Sequence, residues 1–446
     1  MAEIQNLIID LDNTKGWDNS GGKSNNVWGQ VPMPEEIITI ANKAKSKKKV
    51  VHTLMGDVYK FKKPSIWTAY DKVMYSNAEE IKEEDLPKTI SATFKSCFSK
   101  YTAIVENMSM RIAYALDLPT SYNYIVKFSP EEYPKIVDNY YSQSKKSSVS
   151  KLGIVSVDFL QSSRGNPTRE IYTGTDENGK LVEVESVYDI DGDVLIPFDD
   201  IVTQIIGKDR LSGEQNLIEN WVLAVDKFVQ EKLNHLPREN INKIIDNVHS
   251  RIARSFLLKE YCGDCDNTSY NATVVFNKLR GTLAYGPNHD FGDSFNKLLK
   301  TKIDKSQSMS DEEINKLPEL IRKKMLERLE KEKKETVTDI ARQYSVVGAS
   351  ERNMEYIFQN FPESAREFFE NVDRCVQNKN FSKIVDSYTR MSCDGEPLLT
   401  QKEAEIFKEY LAERSTWMIE IYVDYLHKHG QQVEQPTPSE DDFYNF

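Results

Sequence analysis

Short runs that alternate apolar and polar residues dominate the first part of this chain; stripes spaced three and four residues apart dominate the rest. LIIDLDNT, from Leu7 to Thr14, reads as a short strand delivering two carboxylates into a polar, glycine-bearing loop, Asn19 to Asn26. Pro34 to Ala44 predicts a helix, with carboxylates in the first turn where they meet the positive end of the helix dipole. KVVHTLMGDVYKFKKP predicts a hairpin turning at Gly56-Asp57. Its second arm sets Val58, Lys60 and Lys62 on one face and Tyr59 and Phe61 on the other. From Phe98 to Leu116, the residues Ile104, Met108, Ile112 and Ala115 share one helical stripe. Pro119 closes it, because proline disfavours helix in the residue before it. Strands are expected at Asn123 to Phe128, Ile154 to Leu160 and Arg169 to Ile190, the last folded at Glu177 to Lys180.

From about Glu214 the period becomes helical, interrupted by a β-hairpin from Ala272 to Tyr285 with Arg280-Gly281 at its turn. Ser310 to His429 reads as helix throughout. The expected fold is α+β with two lobes. A β-rich N-lobe with one main helix spans 1–160, a larger and mostly helical C-lobe spans 161–430, and a mobile acidic tail occupies 431–446.

Composition narrows the class. The 446 residues are 39% hydrophobic and 29% charged, and no run of about 18 apolar residues appears, so no membrane span is expected. MAEIQNLIID carries no basic n-region before an apolar stretch, which places the protein in the cytoplasm, with delivery as an effector left open. A formal net charge of -12 repels phosphate backbones and argues against a nucleic-acid partner, despite the basic run Lys43 to Lys49. Five scattered cysteines suggest a reducing compartment. The single CxxC, Cys262 to Cys265, lacks a second ligand pair for zinc and reads as two buried thiols at a strand end.

The chemistry gathers in one passage. Asp266 and Asn271 are five apart, and Asp290-Phe291-Gly292 follows a hairpin that returns the chain toward Asn271. Phosphoryl transfer from a nucleotide needs a carboxylate to orient the attacking hydroxyl, and oxygen ligands for magnesium near the phosphates. An Asp, an Asn five positions on, and an Asp leading a DFG after a hairpin supply that set.

Gly263 to Asn271, GDCDNTSYN, resembles the catalytic loop of HipA-like serine/threonine kinases, written G-N-x-D-x-H-x-x-N, and more distantly that of phosphoinositide kinases. Glu106 to Pro119 resembles the family's E-x4-[RK]-[LI]-A-x2-L-G-[IL]-P helix, and Gly153 to Leu160 the strand entering its hinge. The resemblance implies a protein-kinase-like bilobal fold and an enzyme using ATP and Mg2+ to phosphorylate a protein serine or threonine, its own chain included. It implies Asp266 as catalytic base and Asn271 and Asp290 as metal ligands. Glu106 is then the carboxylate pairing a nucleotide-binding lysine on VYKFKKP, either Lys60 or Lys62; Lys60 stands further from the terminating proline. Backbone groups of Val157, Asp158, Phe159 and Leu160 would hold the adenine. Ser20, Gly21, Gly22, Lys23 and Ser24 are the candidate phosphate loop, since glycines let amides approach phosphate. A neutralising or regulatory protein partner is left open, and the sequence does not identify the acceptor.

Two departures matter. Thr268 stands where the family has histidine, and Asp264 where it has asparagine, which leaves a catalytically weak pseudokinase scaffold as an alternative. The other alternative starts from LIIDLDNT, the layout of a haloacid-dehalogenase-like phosphatase. Asp10 would be its nucleophile, Asp12 its acid–base partner and Thr53 its second hydroxyl. That chemistry requires a parallel sheet of alternating strands and helices, which the chain after residue 60 does not offer. Asp189 to Asp193, DIDGD, lacks the glutamate and flanking helices of a calcium loop and reads as a solvated turn.

Overall fold

The computed structural model describes residues 2–11, 26–34, 48–53, 56–61, 66–67, 88–97, 99–129, 151–157, 168–175, 181–188, 193–206, 217–266, 269–277, most of 281–295 and 334–430, with isolated positions around 299–330. The expected helix from Pro34 to Ala44, the Asp189 to Gly192 turn and the tail lie outside them apart from Pro34.

The first sheet is built from β1 (Asp10–Leu11), β2 (Asn26–Pro32), β3 (Thr89–Ser96), β4 (Asn123–Lys127) and β5 (Leu152–Val157). Its order is β1-β2-β3-β5-β4, with every neighbouring pair antiparallel. The period of two divides each strand between two faces. Ile90, Ala92 and Phe94 of β3 join Val31, Val155 and Val157 in a cluster on one side. Ile125, Leu152 and Ile154 face the other side, where α1 (Lys100–Ala115) packs. Gly153 is a spacing requirement: a Cβ there would sit 2.4 Å from the Phe94 ring.

Helix α1 begins where Ser99 accepts from the Thr102 amide, and stops at Asp117, whose φ of 65° leaves the helical region. Ile104, Met108 and Ile112 are fully buried, as the stripe requires. Each contributes about 1.5–3 kcal/mol, enough to seat a helix that also carries a carboxylate, Glu106, inward.

A second antiparallel sheet runs in sequence order: β6 (Thr168–Thr175), β7 (Leu181–Tyr188), β8 (Asp193–Pro197), β9 (Thr273–Asn277) and β10 (Thr282–Tyr285). Gly281 takes a φ of 61° at the β9–β10 turn. Helices of nine residues or more among the described residues are, after α1, α2 (Phe198–Ile206), α3 (Ile218–Lys232), α4 (Arg238–Tyr261), α5 (Ala349–Asn360), α6 (Pro362–Gln377), α7 (Asn380–Thr389) and α8 (Gln401–Lys428). None among the described residues is long and apolar enough to cross a membrane.

The structure corrects three expectations. Lys48–Thr53 and Gly56–Phe61 do pair, but Gly56 and Asp57, expected at the turn, are strand residues opposite Thr53 and His52. The helical reach to His429 is broken by a hairpin, Met391–Cys393 with Glu396–Pro397, turning on the left-handed Asp394 and Gly395. Its outer partner is Ala2–Glu3 at the other end of the chain. Finally, Cys262 caps helix α4 rather than a strand, and Cys265 is only half-buried.

Helix α1 is held from the far end of the chain. Tyr388 on α7 donates to Asn107 Oδ1 at 2.7 Å, Cys375 on α6 to the Ala115 carbonyl at 3.2 Å, and Asn371 to the Leu116 carbonyl at 3.0 Å. Tyr101 donates to Glu403, which completes the capping box of α8 with Thr400.

Candidate active site

Lys95 is the centre of the site. It follows Phe94 on β3 and therefore points to the opposite face, toward α1. There its Nζ lies 3.2 Å from Glu106 Oε2 and 2.5 Å from Asp290 Oδ1. A strand, a helix and the loop after a hairpin thus meet at one ammonium. Burial opposes charge on Lys95, but Asp290 and Glu106 outweigh it and hold the amine well above its ordinary value. Burial pushes the Glu106 carboxyl up; Lys95 opposes the rise and the Asp290 charge adds to it. Gly292 lets the loop come this close, since a Cβ there would stand 3.3 Å from Lys95 Nζ and 3.4 Å from Glu106 Oε2.

The sequence reading puts the lysine that pairs with Glu106 on VYKFKKP, whereas the structure places Lys95 against Glu106. The partner of Glu106 is Lys95. Lys60 belongs to the separate two-stranded sheet, and Lys62 lies outside the described residues. The missed signal is TISATFKS itself: Ile90, Ala92, Phe94 and Ser96 alternate as inward positions, which puts Lys95 on the other face eleven residues before Glu106.

The loop carrying Asp266 is shaped by the end of α4. Gly263 turns with a φ of 65°, its amide returning to the Glu260 carbonyl, and the Asp264 amide returns to the Lys259 carbonyl. This drives the Asp264 side chain inward. Its Oδ2 takes Lys259 Nζ at 2.7 Å and its Oδ1 accepts the Asp266 amide at 3.0 Å. The carboxylate that departs from the family pattern is therefore buried and matched by a lysine, not added to the face of the site. Asp266 itself is exposed, and its carbonyl accepts Asn271 Nδ2 at 2.9 Å. Ser269 anchors the loop to α2 by donating to Asp199 Oδ1 at 2.7 Å. Thr268 lies outside the described residues.

After β10 the chain docks through Asn288. Its side chain donates to the Pro119 carbonyl at 2.8 Å and accepts from Ser255 at 2.5 Å, while its carbonyl accepts the Ser121 amide. Asp290 then takes a left-handed φ of 54°, Phe291 is fully buried, and the Asp290 carbonyl accepts Lys259 Nζ at 3.0 Å. Asp266, Asn271 and Asp290 are in this way tied into one network. Asn271 and Asp290 carry side-chain oxygens, the atom type a hard divalent cation takes, and the Asp290 side chain is 41% exposed.

Of the other expected residues, Val157 is buried and its amide donates to the Tyr122 carbonyl, so that group is not offered to a ligand. Asp158, Phe159, Leu160 and Ser20 to Ser24 lie outside the described residues. Asp10 sits on the edge strand of a wholly antiparallel sheet, and Thr53 in a two-stranded hairpin, which removes the architecture a dehalogenase-like phosphatase requires; Asp12 lies outside the described residues.

No family model matches the chain, and no curated protein does. Among solved structures it is similar to the Helicobacter pylori proinflammatory kinase CtkA, at 12% identity and a TM-score of 0.41, covering 76% of this chain and 92% of that one. It is also similar to Shewanella oneidensis HipA, from a toxin–antitoxin complex with HipB and operator DNA, at 11% identity and a TM-score of 0.33, covering 77% of this chain and 61% of that one. The functional reading rests on the chain's own geometry.

Proposed function

We propose that this protein is a kinase that transfers the γ-phosphoryl group of ATP to a protein serine or threonine hydroxyl. The observation that carries the reading is the meeting of Lys95, Glu106 and Asp290. A strand lysine held by a helix carboxylate beside a DFG aspartate is the arrangement that positions a nucleotide for phosphoryl transfer. A phosphatase built on Asp10 has no use for that pair.

Lys95 aims a fixed positive charge at the nucleotide phosphates, and Glu106 keeps its long side chain from wandering. Magnesium, held by Asn271 and Asp290, would supply charge neutralisation at the phosphates. Asp266, exposed on the loop face, orients the acceptor hydroxyl and takes its proton late in transfer. Its backbone is fixed at both ends, through the amide to Asp264 and the carbonyl to Asn271. Asn26, the first residue of β2, pairs with Lys95 of β3. The phosphate loop in this reading is Ser20 to Ser24, which precede Asn26 in the sequence. The serine or threonine acceptor comes from the family resemblance.

The test is incorporation of labelled phosphate from ATP, with and without magnesium, into the chain itself and a basic-protein mixture. Wild type should transfer, and Asp266→Ala and Asp290→Ala should fall by about a thousandfold or more. Transfer undiminished in either variant refutes the site. ATP binding with no transfer by wild type refutes the activity and leaves a nucleotide-binding scaffold.

A further inference from the structure

Asp264 and Lys259 have no direct part in the reaction just described, yet both are almost wholly buried, at 1% and 2% exposed. A buried ion pair is a poor way to stabilise a helix end, since apolar residues of the same volume do as well without the desolvation cost. What distinguishes this pair is where its remaining hydrogen bonds go. One oxygen of Asp264 holds Lys259 and the other holds the amide of Asp266. The ammonium of Lys259, lying 4.2 Å from the centre of the Phe291 ring, also donates to the carbonyl of Asp290. A single chain of contacts therefore runs from the backbone of the base, through two opposite charges, to the backbone of the metal-binding aspartate. It crosses between segments that no strand pairing joins directly at these positions. Asp290 needs such a hold, because its left-handed φ is unfavourable for a residue other than glycine.

We propose that Lys259 and Asp264 are a positioning pair, a buried strut that fixes the loop carrying Asp266 against the loop carrying Asp290. The proposal rests on the kinase reading for its catalytic meaning and on geometry alone for its structural one. Charge is used because it supplies strong hydrogen bonds at both ends of a short span: the anion accepts an amide and the cation reaches a carbonyl. Neither residue touches substrate. Each acts through the aspartate beside it.

The deciding variant is the double substitution Lys259→Met with Asp264→Asn, which removes both charges and leaves no unpaired ion. Hydrogen exchange is measured on nucleotide-free protein, in the peptides covering Asp266 and Asp290. Both peptides should exchange at least about tenfold faster than in wild type, while peptides from α6 and α8 stay native. In the transfer assay, turnover should fall about tenfold or more with the KM for ATP within about threefold, the pattern of misplaced reacting groups. Asp264→Asn alone, a change of one atom, is run in parallel in case the double variant folds poorly, and should speed exchange in the same two peptides. Native exchange in both peptides of a folded variant overturns the proposal, as does native turnover. Because exchange is read without nucleotide, it decides the strut even where wild type transfers no phosphate, so the two claims fail separately.

Discussion

Asp290 is gripped by two lysines that come from different halves of the molecule. Lys95, from the sheet, holds its carboxylate; Lys259, from helix α4, holds its carbonyl. The first side chain is 15% exposed and shares its charge between two carboxylates. The second is 3% exposed, and its carboxylate partner, Asp264, has a side chain with no exposure at all. The difference separates two jobs that the same residue type performs. In the proposed kinase, the partly exposed Lys95 can exchange a carboxylate for a phosphate. One sealed between Asp264 and the Phe291 ring has no ligand to meet and can only hold the backbone in place.

The comparison breaks most sharply in activity. Lys95→Met should lower transfer by about a hundredfold or more, while Lys60→Ala stays within about twofold, measured side by side as kcat/KM. Equal loss in both would return the nucleotide lysine to VYKFKKP. Stability should sort the two lysines the other way. Lys259→Met strands the Asp264 carboxylate in the interior and should cost about 3–5 kcal/mol, against about 1–3 kcal/mol for Lys95→Met, which leaves the 41%-exposed Asp290 in reach of water and strands only the buried Glu106. Urea denaturation of the two variants checks this, and equal costs would erase the distinction. The smallest effect concerns the flanking thiols. Burial pushes Cys262 up to about 12, so at pH 8 only about one molecule in ten thousand carries the reactive thiolate. Iodoacetamide at pH 8 should label the half-buried Cys265 and spare Cys262 in the native protein, read by peptide mass spectrometry.

These contrasts explain what could be read in advance. Asp266, Asn271 and Asp290 were legible because local rules join them: a loop of five residues, then a hairpin whose turn glycine and alternating strands are visible in the letters. Helix α1 declared itself by its apolar stripe and its proline. Lys95 did not, because the identity of the lysine facing Glu106 is set by which strand lies under α1. VYKFKKP advertises a strand strongly with its aromatics, whereas TISATFKS alternates through small residues, Ala92 and Ser96, that carry little hydrophobic contrast. The Met391–Pro397 hairpin was hidden for a related reason. Its outer strand, Ala2–Glu3, lies almost the whole chain away, and short strands of that kind are specified by their partner more than by their own residues.

The anchoring of α1 has a consequence for the order of synthesis. A ribosome releases the sheet, α1 and Lys95 long before it releases Asn371, Cys375, Tyr388 and Glu403, the residues that seat the helix from behind. Domains acquire their fold from the N-terminus as they emerge, yet these contacts on α1 form only once α6, α7 and the start of α8 have been made.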